Sequence, residues 1–169
     1  ALGEVRIHHG KENWNYADIV IFAANDVRPS AAAGGIVISP TNDIIDATTV
    51  ITDAYLPGQV RMGPTWSRFG DPDANLGEDW SRAFAHELSH FLFFLPDNYV
   101  GFEDGQVVST NCYGSFMTDI YNEDYSEFLE ESGWVGDCLK TVAETITGRN
   151  DWQTIQQYWP WLTPNPLLS

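Results

Sequence analysis

Two histidines four residues apart, His86 and His90, sit inside the most strongly helical segment of this chain. On an α-helix, positions i and i+4 lie one turn apart on one face, so this spacing aims both imidazoles at one place. Around them Trp80, Phe84, Leu88, Phe91, Leu92 and Leu95 recur at three- and four-residue intervals, an apolar stripe of the kind that faces a core. Ala83, Phe93 and Phe94 add apolar groups elsewhere, so the helix is expected to be enclosed on most sides, from about Glu78 to a stop at Pro96. Burying two imidazoles and the Glu87 carboxylate in such a helix is costly unless a metal ion or hydrogen bonds satisfy them. The fold has to be built around that helix.

His86-Glu87-Leu88-Ser89-His90 is an HExxH pattern, in which the two imidazoles hold one metal ion and the glutamate stands beside the water that the ion binds. Zinc (Zn2+) suits such a site, because it accepts imidazole nitrogens and can keep an open fourth position. It would lower the pKa of water to about 7, and Glu87 would accept the proton and deliver it to a leaving amine. The chain has only four histidines, so two in this motif argue against coincidence. The other pair, His8-His9, reads as surface imidazole rather than a second metal site.

A hydrolytic zinc site needs a third protein ligand. Asp97 directly follows the helix-breaking Pro96 and can fold back toward the histidines. The bland reading of Pro96-Asp97-Asn98 is an exposed turn. The competing ligand class takes a glutamate from a later helix, with Glu123, Glu127 and Glu130 available.

The length of 169 residues allows one compact unit or a tight pair of lobes sharing a core. A formal charge of −16, from 24 acidic and 8 basic residues, opposes polyanionic partners and gives no footprint for nucleic acid or an anionic membrane. With 43% hydrophobic residues there is ample apolar surface to offset the ordering entropy of folding. The longest apolar stretches, 19–24 and 91–95, fall far short of the ~18 to 20 residues that span a bilayer, so a soluble protein is expected. Nothing at Ala1 resembles a signal peptide, so any targeting signal is expected to have been removed or to lie elsewhere. Cys112 and Cys138 allow one disulfide, the alternative being two buried thiols; a bridge would favour an extracellular or other extracytoplasmic compartment.

Strand signals occupy the first half, at 5–8, 17–24, 35–39, 47–55 and 59–66, with a weakly supported helix at 10–16. Past the motif helix, Glu103-Asp104-Gly105-Gln106 reads as a hairpin turn between 99–102 and 106–109. Helices are expected at 125–132, at 139–147 with Gly148 as C-cap, and at 151–158 before Pro160. The proline-rich 161–169 reads as an exit linker within a larger multidomain protein. Asp71, Asp73 and Asn75 suggest structural calcium (Ca2+), but Gly77 arrives one position late for an EF-hand loop and Arg82 stands where a bidentate Glu is required. A solvated loop capping the next helix is the preferred reading there.

These residues carry a resemblance to metzincin peptidases, whose HExxH helix breaks before a third ligand and which have a Met-containing turn beneath the metal. With a one-residue shift that places Phe94 at the usual glycine and Asp97 at the ligand, the pattern resembles the metalloprotease domain of the calcium-activated chloride channel regulator family and its bacterial relatives. His86, Glu87, His90, Asp97 and Tyr99 match that pattern. The segment Cys112-Tyr113-Gly114-Ser115-Phe116-Met117 is similar to that group's Ser-x-Met turn, which implies that Met117 packs under the site without binding metal. Where some metzincins have a metal-approaching tyrosine this chain has Asp119, with Tyr121 the nearest substitute. The resemblance also implies an edge strand that pairs with an extended peptide, a role assigned to 59–66.

Together these readings predict an α/β (α+β) zincin-like domain over 1–160. An upper lobe, about 1–95, would hold a mixed twisted sheet and the motif helix; a mainly helical, disulfide-tied lower lobe, about 96–160, would close a cleft. The expected function is zinc-dependent endopeptidase activity on a protein or peptide substrate, with basic substrates favoured by the negative charge. The alternatives are an adhesion or assembly module with a vestigial or self-cleaving zinc site, and a peptidase with a downstream Glu ligand.

Overall fold

The computed structural model describes residues 4–22, 28–32, 35–37, 44–46, 49–50, 54–56, 58–64 and 78–164. Seven short strands come first: β1 (Ile19–Ile21), β2 (Ser30–Ala32), β3 (Gly35–Val37), β4 (Ile44–Asp46), β5 (Thr49–Val50), β6 (Ala54–Leu56) and β7 (Gln59–Met62). Helix α1 (Glu78–Phe93) follows, then the hairpin of β8 (Val100–Glu103) and β9 (Gln106–Ser109). A 3-10 turn (Gly136–Lys140), a π-helical turn (Ala143–Thr147) and helix α2 (Asp151–Tyr158) complete the described elements. The architecture is mixed α/β.

Val60 and Met62 are wholly buried while Arg61 between them is exposed, the period of two that one covered sheet face imposes. β7 lies at the centre of a three-stranded sheet of order β1-β7-β2, parallel to β1 (Ile19↔Val60) and antiparallel to β2 (Ala31↔Val60). The assignment of 59–66 as the edge strand beside the motif helix is therefore corrected. Among the described residues β2 is the outer strand on that side, a choice set by non-local pairing that the residues of β7 do not encode. β3 pairs with β6, and β4 with β5, both antiparallel.

Other local expectations give way as well. Residues 5–8 form no strand, and the 47–55 segment is divided between β5 and β6. The 10–16 segment makes successive tight turns (Glu12 N to His9 O, 3.2 Å; Tyr16 N to Asn13 O, 2.9 Å) instead of a helix. Gly10, Lys11 and Asn13 all take positive φ there, which an α-helix excludes. Residues 66, 71, 73 and 75, and with them the calcium reading, lie outside the described residues, as do 165–169 of the expected linker.

Helix α1 packs its stripe against the sheet: Trp80, Phe84, Leu88 and Phe91 surround a core of Val60, Met62, Ala83 and Ile120. The wholly buried Val60 and Met62 side chains contribute roughly 1.5–3 kcal/mol each. The Trp80 indole donates to the Gly63 carbonyl at 2.9 Å, fastening the first turn of α1 to the end of β7. Phe93, at the other end, faces a second core of Leu95, Met117 and Ile155. The helix stops at Phe93 because Phe94 turns to φ 58°, the left-handed region, and Pro96 cannot resume it.

The part after Pro96 is less helical than expected. Residues 125–132 form no helix: Phe116 N donates to Glu127 O at 2.8 Å and Glu127 N to Gly114 O at 3.2 Å, so this backbone pairs with the Ser115 segment. The expected 139–147 helix is reduced to the 3-10 and π turns, the latter closed by Gly148 at φ 60° with its N–H on Glu144 O. Helix α2 matches its predicted span and starts in a capping box between Asn150 and Gln153 (2.8 and 3.0 Å). Cys112 and Cys138 form a disulfide, buried with Trp134 and Ala143 in a third core. No described helix is long and apolar enough to cross a membrane.

Candidate metal centre

α1 presents His86 and His90 one turn apart, and the left-handed turn at Phe94 brings Asp97 back beneath them. His86 Nε2 lies 3.1 Å from His90 Nε2 and 3.1 Å from Asp97 Oδ1, and His90 Nε2 lies 3.2 Å from the same oxygen. These residues form a group that could hold a metal ion.

The donor set fits a cation. His86 Nδ1 faces the Phe116 carbonyl at 3.4 Å, and His90 Nδ1 faces the Leu95 carbonyl. A carbonyl only accepts, so each Nδ1 carries the proton and a neutral ring leaves its Nε2 as a bare lone pair. Two such lone pairs and a carboxylate oxygen then point at one another and repel unless positive charge lies among them. Tetrahedral zinc with bonds of about 2.0–2.2 Å would space its ligand atoms about 3.3–3.6 Å apart, a few tenths of an ångström wider than the triangle here. Backbone carbonyls on the outer ring nitrogens are the usual support for ligating histidines.

In the metal-free protein a proton on Nε2 takes the place of that cation: burial works against the Asp97 charge, but hydrogen bonds from the His86 and His90 Nε2–H groups outweigh it and hold the carboxyl far below its ordinary range. Burial would likewise lower the His90 imidazole, yet the bonds to Asp97 and the Leu95 carbonyl raise it on balance. Glu87 moves opposite to Asp97: burial raises its carboxyl, opposed by the neighbouring imidazoles and by a hydrogen bond from the Ala31 backbone of β2.

The three residues open on a cleft of about 490 Å³ whose wall includes Glu87, Tyr99, Asp119, Tyr121 and Ala31. Tyr99 stands beside Asp97, and its phenol is pushed up to about 12 by burial and then by that carboxylate. Tyr121 lies in the wall near Asp119, whose Oδ1 accepts from Tyr121 N at 3.1 Å. Glu123, Glu127 and Glu130 are exposed and, among the described residues, belong to no group of this kind. His8 and His9 are exposed too, with His8 Nδ1 3.2 Å from Asn13 Nδ2.

Met117 is wholly buried with Leu95 and Ile155, and its carbonyl accepts from Asn98 N at 2.8 Å. The residues that sequence reasoning missed lie alongside. Asp151, in the first turn of α2 and 1% exposed, accepts from Asn98 Nδ2 (2.8 Å), Ser115 Oγ (2.9 Å) and Leu129 N (3.0 Å). Ser115 Oγ in turn accepts from Asn98 Nδ2 (2.8 Å) and Met117 N (3.2 Å). One carboxylate thus holds both segments that face the triad: the one continuing from Asp97, and the one whose Phe116 carbonyl receives His86. The only local signal was the Asn150…Gln153 cap, which marks a helix start and not a buried anchor. No protein-family model, curated protein or solved structure matches this chain.

Proposed function

We propose that this chain is a zinc-dependent endopeptidase with a metzincin-like arrangement, its ligands His86, His90 and Asp97 and its general base Glu87. The observation that carries the reading is the convergence of three lone-pair donors within 3.2 Å of one another beside the Glu87 carboxyl, in the wall of one cleft. Zinc bound there would polarise a carbonyl and bring the pKa of water to about 7. Glu87 takes the proton from the attacking water on its carboxylate and hands it to the leaving amine. Its burial, which raises the carboxyl, suits a group that must hold a proton between the two steps.

The outer strand β2 supplies a place for an extended peptide to pair across the cleft mouth. Met117 serves as the buried floor beneath the ligands. A purely structural zinc site closes with four protein ligands, whereas this three-residue group opens on a cleft, which favours catalysis over an adhesion module. The disulfide is consistent with work outside the cytoplasm.

The test is zinc content measured together with cleavage of a peptide library, before and after a chelator and after zinc is restored. Chelator-sensitive, zinc-restored hydrolysis is expected. Stoichiometric zinc without hydrolysis of any peptide would sink the catalytic reading.

A further inference from the structure

Asp119 stands in the wall of the cleft, half-buried, on a segment that two contacts pin against α1. Three residues before it, the Phe116 carbonyl faces His86 Nδ1 at 3.4 Å. One residue after it, Ile120 lies in the core that holds Ala83, a helical turn ahead of Glu87. The chain between these anchors follows α1, whose rise of about 1.5 Å per residue separates Ala83 from His86 by only about 4.5 Å along the axis. Asp119 is thereby kept close to the metal group without belonging to it.

Its carboxylate is positioned and yet half unused. Oδ1 accepts from Tyr121 N at 3.1 Å, and the Asp119 carbonyl accepts from Asn122 N at 3.3 Å, so the residue heads a tight turn. Arg82 of α1 fastens that turn, its Nη1 donating to the Ile120 (3.3 Å) and Asn122 (3.4 Å) carbonyls. Among the described residues nothing donates to Oδ2, and no basic side chain forms an ion pair with Asp119. Arg28, the basic side chain of the same wall, acts on the Tyr99 phenol beside Asp97 instead. Asp97 and Glu87 suffice to balance the two charges of a zinc ion, which leaves the Asp119 charge without a partner.

We infer that Asp119 selects a lysine or arginine side chain of the substrate, close to the scissile bond. The inference rests on the peptidase reading and deepens it by naming the substrate class. A substrate ammonium or guanidinium would donate a charge-assisted hydrogen bond to Oδ2, in a cleft where water competes less than in bulk solvent. Ile120 and Tyr121 of the same wall offer apolar surface to the aliphatic stem of either side chain. A substrate Asp or Glu would instead meet like charge there. The formal charge of −16 acts in the same sense at longer range, drawing basic segments toward the protein before they dock.

The test uses the zinc-loaded chain and a mixture of N-acetylated peptides randomised around the cleavage site, with products sequenced by mass spectrometry. The expected result is enrichment of Lys and Arg at one position near the cut. For a matched peptide pair with Lys or Gln at that position, kcat/KM should favour Lys by at least about tenfold. Asp119→Asn keeps an oxygen that accepts from Tyr121 N and removes only the charge, so it should fold and keep its zinc, and the Lys-to-Gln ratio should fall toward one. Asp119→Lys should turn the preference toward Asp and Glu. Cleavage with no basic preference, or a preference that survives Asp119→Asn, overturns the subsite and leaves the peptidase reading standing. A preference seen only with unacetylated peptides would assign the bound cation to the α-amine and overturn the side-chain subsite. A zinc-loaded chain that cuts nothing overturns the peptidase reading and the subsite with it.

Discussion

Asn98 Nδ2 donates to Asp151 Oδ1 at 2.8 Å, joining the residue after a candidate metal ligand to a helix 53 positions later. With Ser115 and Leu129 the same carboxylate accepts from three donors, two of them on buried residues. Asp151→Ala would strand all three, at roughly 1–3 kcal/mol each. A loss of at least about 3 kcal/mol is expected in urea unfolding of the metal-free protein. A change below about 1 kcal/mol would show that water replaces the carboxylate freely.

Burial pushes the Asp151 carboxyl above its ordinary value, against the opposing pull of Leu129 N, Asn98 and Ser115. In the window between the unfolded carboxyl and this raised native value, the folded state binds more protons. The Asp151 contribution is therefore full below the unfolded pKa and declines as pH rises through the native one. Unfolding free energy measured against pH should show that declining segment in the parent chain, and Asp151→Asn should lack it. Parallel curves for the two proteins would refute the assignment.

Glu87→Ala should retain zinc, since Glu87 is not among the three converging ligand residues, and should lose about 100- to 10,000-fold in hydrolysis rate. Metal analysis and single-turnover cleavage of one peptide measure the two effects separately. Full turnover by the variant would remove Glu87 from the mechanism.

Asp97→Ala leaves two imidazoles to hold the ion. Zinc affinity should fall by more than the ~10- to 100-fold typical of losing a supporting residue around a ligand. Glutamine at Glu123, Glu127 and Glu130 together should leave affinity where it is, because all three side chains are exposed. Competition with a chromogenic chelator ranks the variants, and the opposite ranking would restore the downstream-glutamate site.

The Cys112–Cys138 bridge spans 26 positions and closes a loop worth about 3 kcal/mol in the chain-entropy model. It ties the segment before Met117 to the 3-10 turn. Reduction should lower the unfolding midpoint in urea by a corresponding amount, with the bridge verified by non-reducing mass spectrometry. Two free thiols in secreted protein would remove the structural case for an oxidising compartment.

The motif helix was legible because its stripe, its histidine spacing and its terminator are all local. So were the Asp104-Gly105 hairpin turn, with both residues at positive φ, and the α2 span. The 125–132 segment misled because Tyr125, Phe128 and Leu129 sit at helical spacing. In the fold Phe128 belongs to the core around Met117 and Leu129 to the core around the disulfide, two directions that one helix face would not serve. The edge position of β2 and the anchoring by Asp151 depend on which distant segments meet. An aspartate in a helix's first turn ordinarily reads as a solvated partner of the helix dipole, so nothing nearby announced its burial.

The Trp159 indole donates to the Leu92 carbonyl at 2.8 Å, so the tail of α2 closes the last turn of the histidine helix just as its head anchors Asn98 and Ser115. During synthesis the two histidines and Asp97 leave the ribosome well before either end of α2 exists. At ~5–20 residues per second, the 53 positions from Asn98 to Asp151 take about 3 to 10 s. Through that interval the nascent chain carries all three candidate metal ligands without the helix that holds their segments in place. The contacts from α2 that hold the candidate metal group in place are therefore completed only late in synthesis.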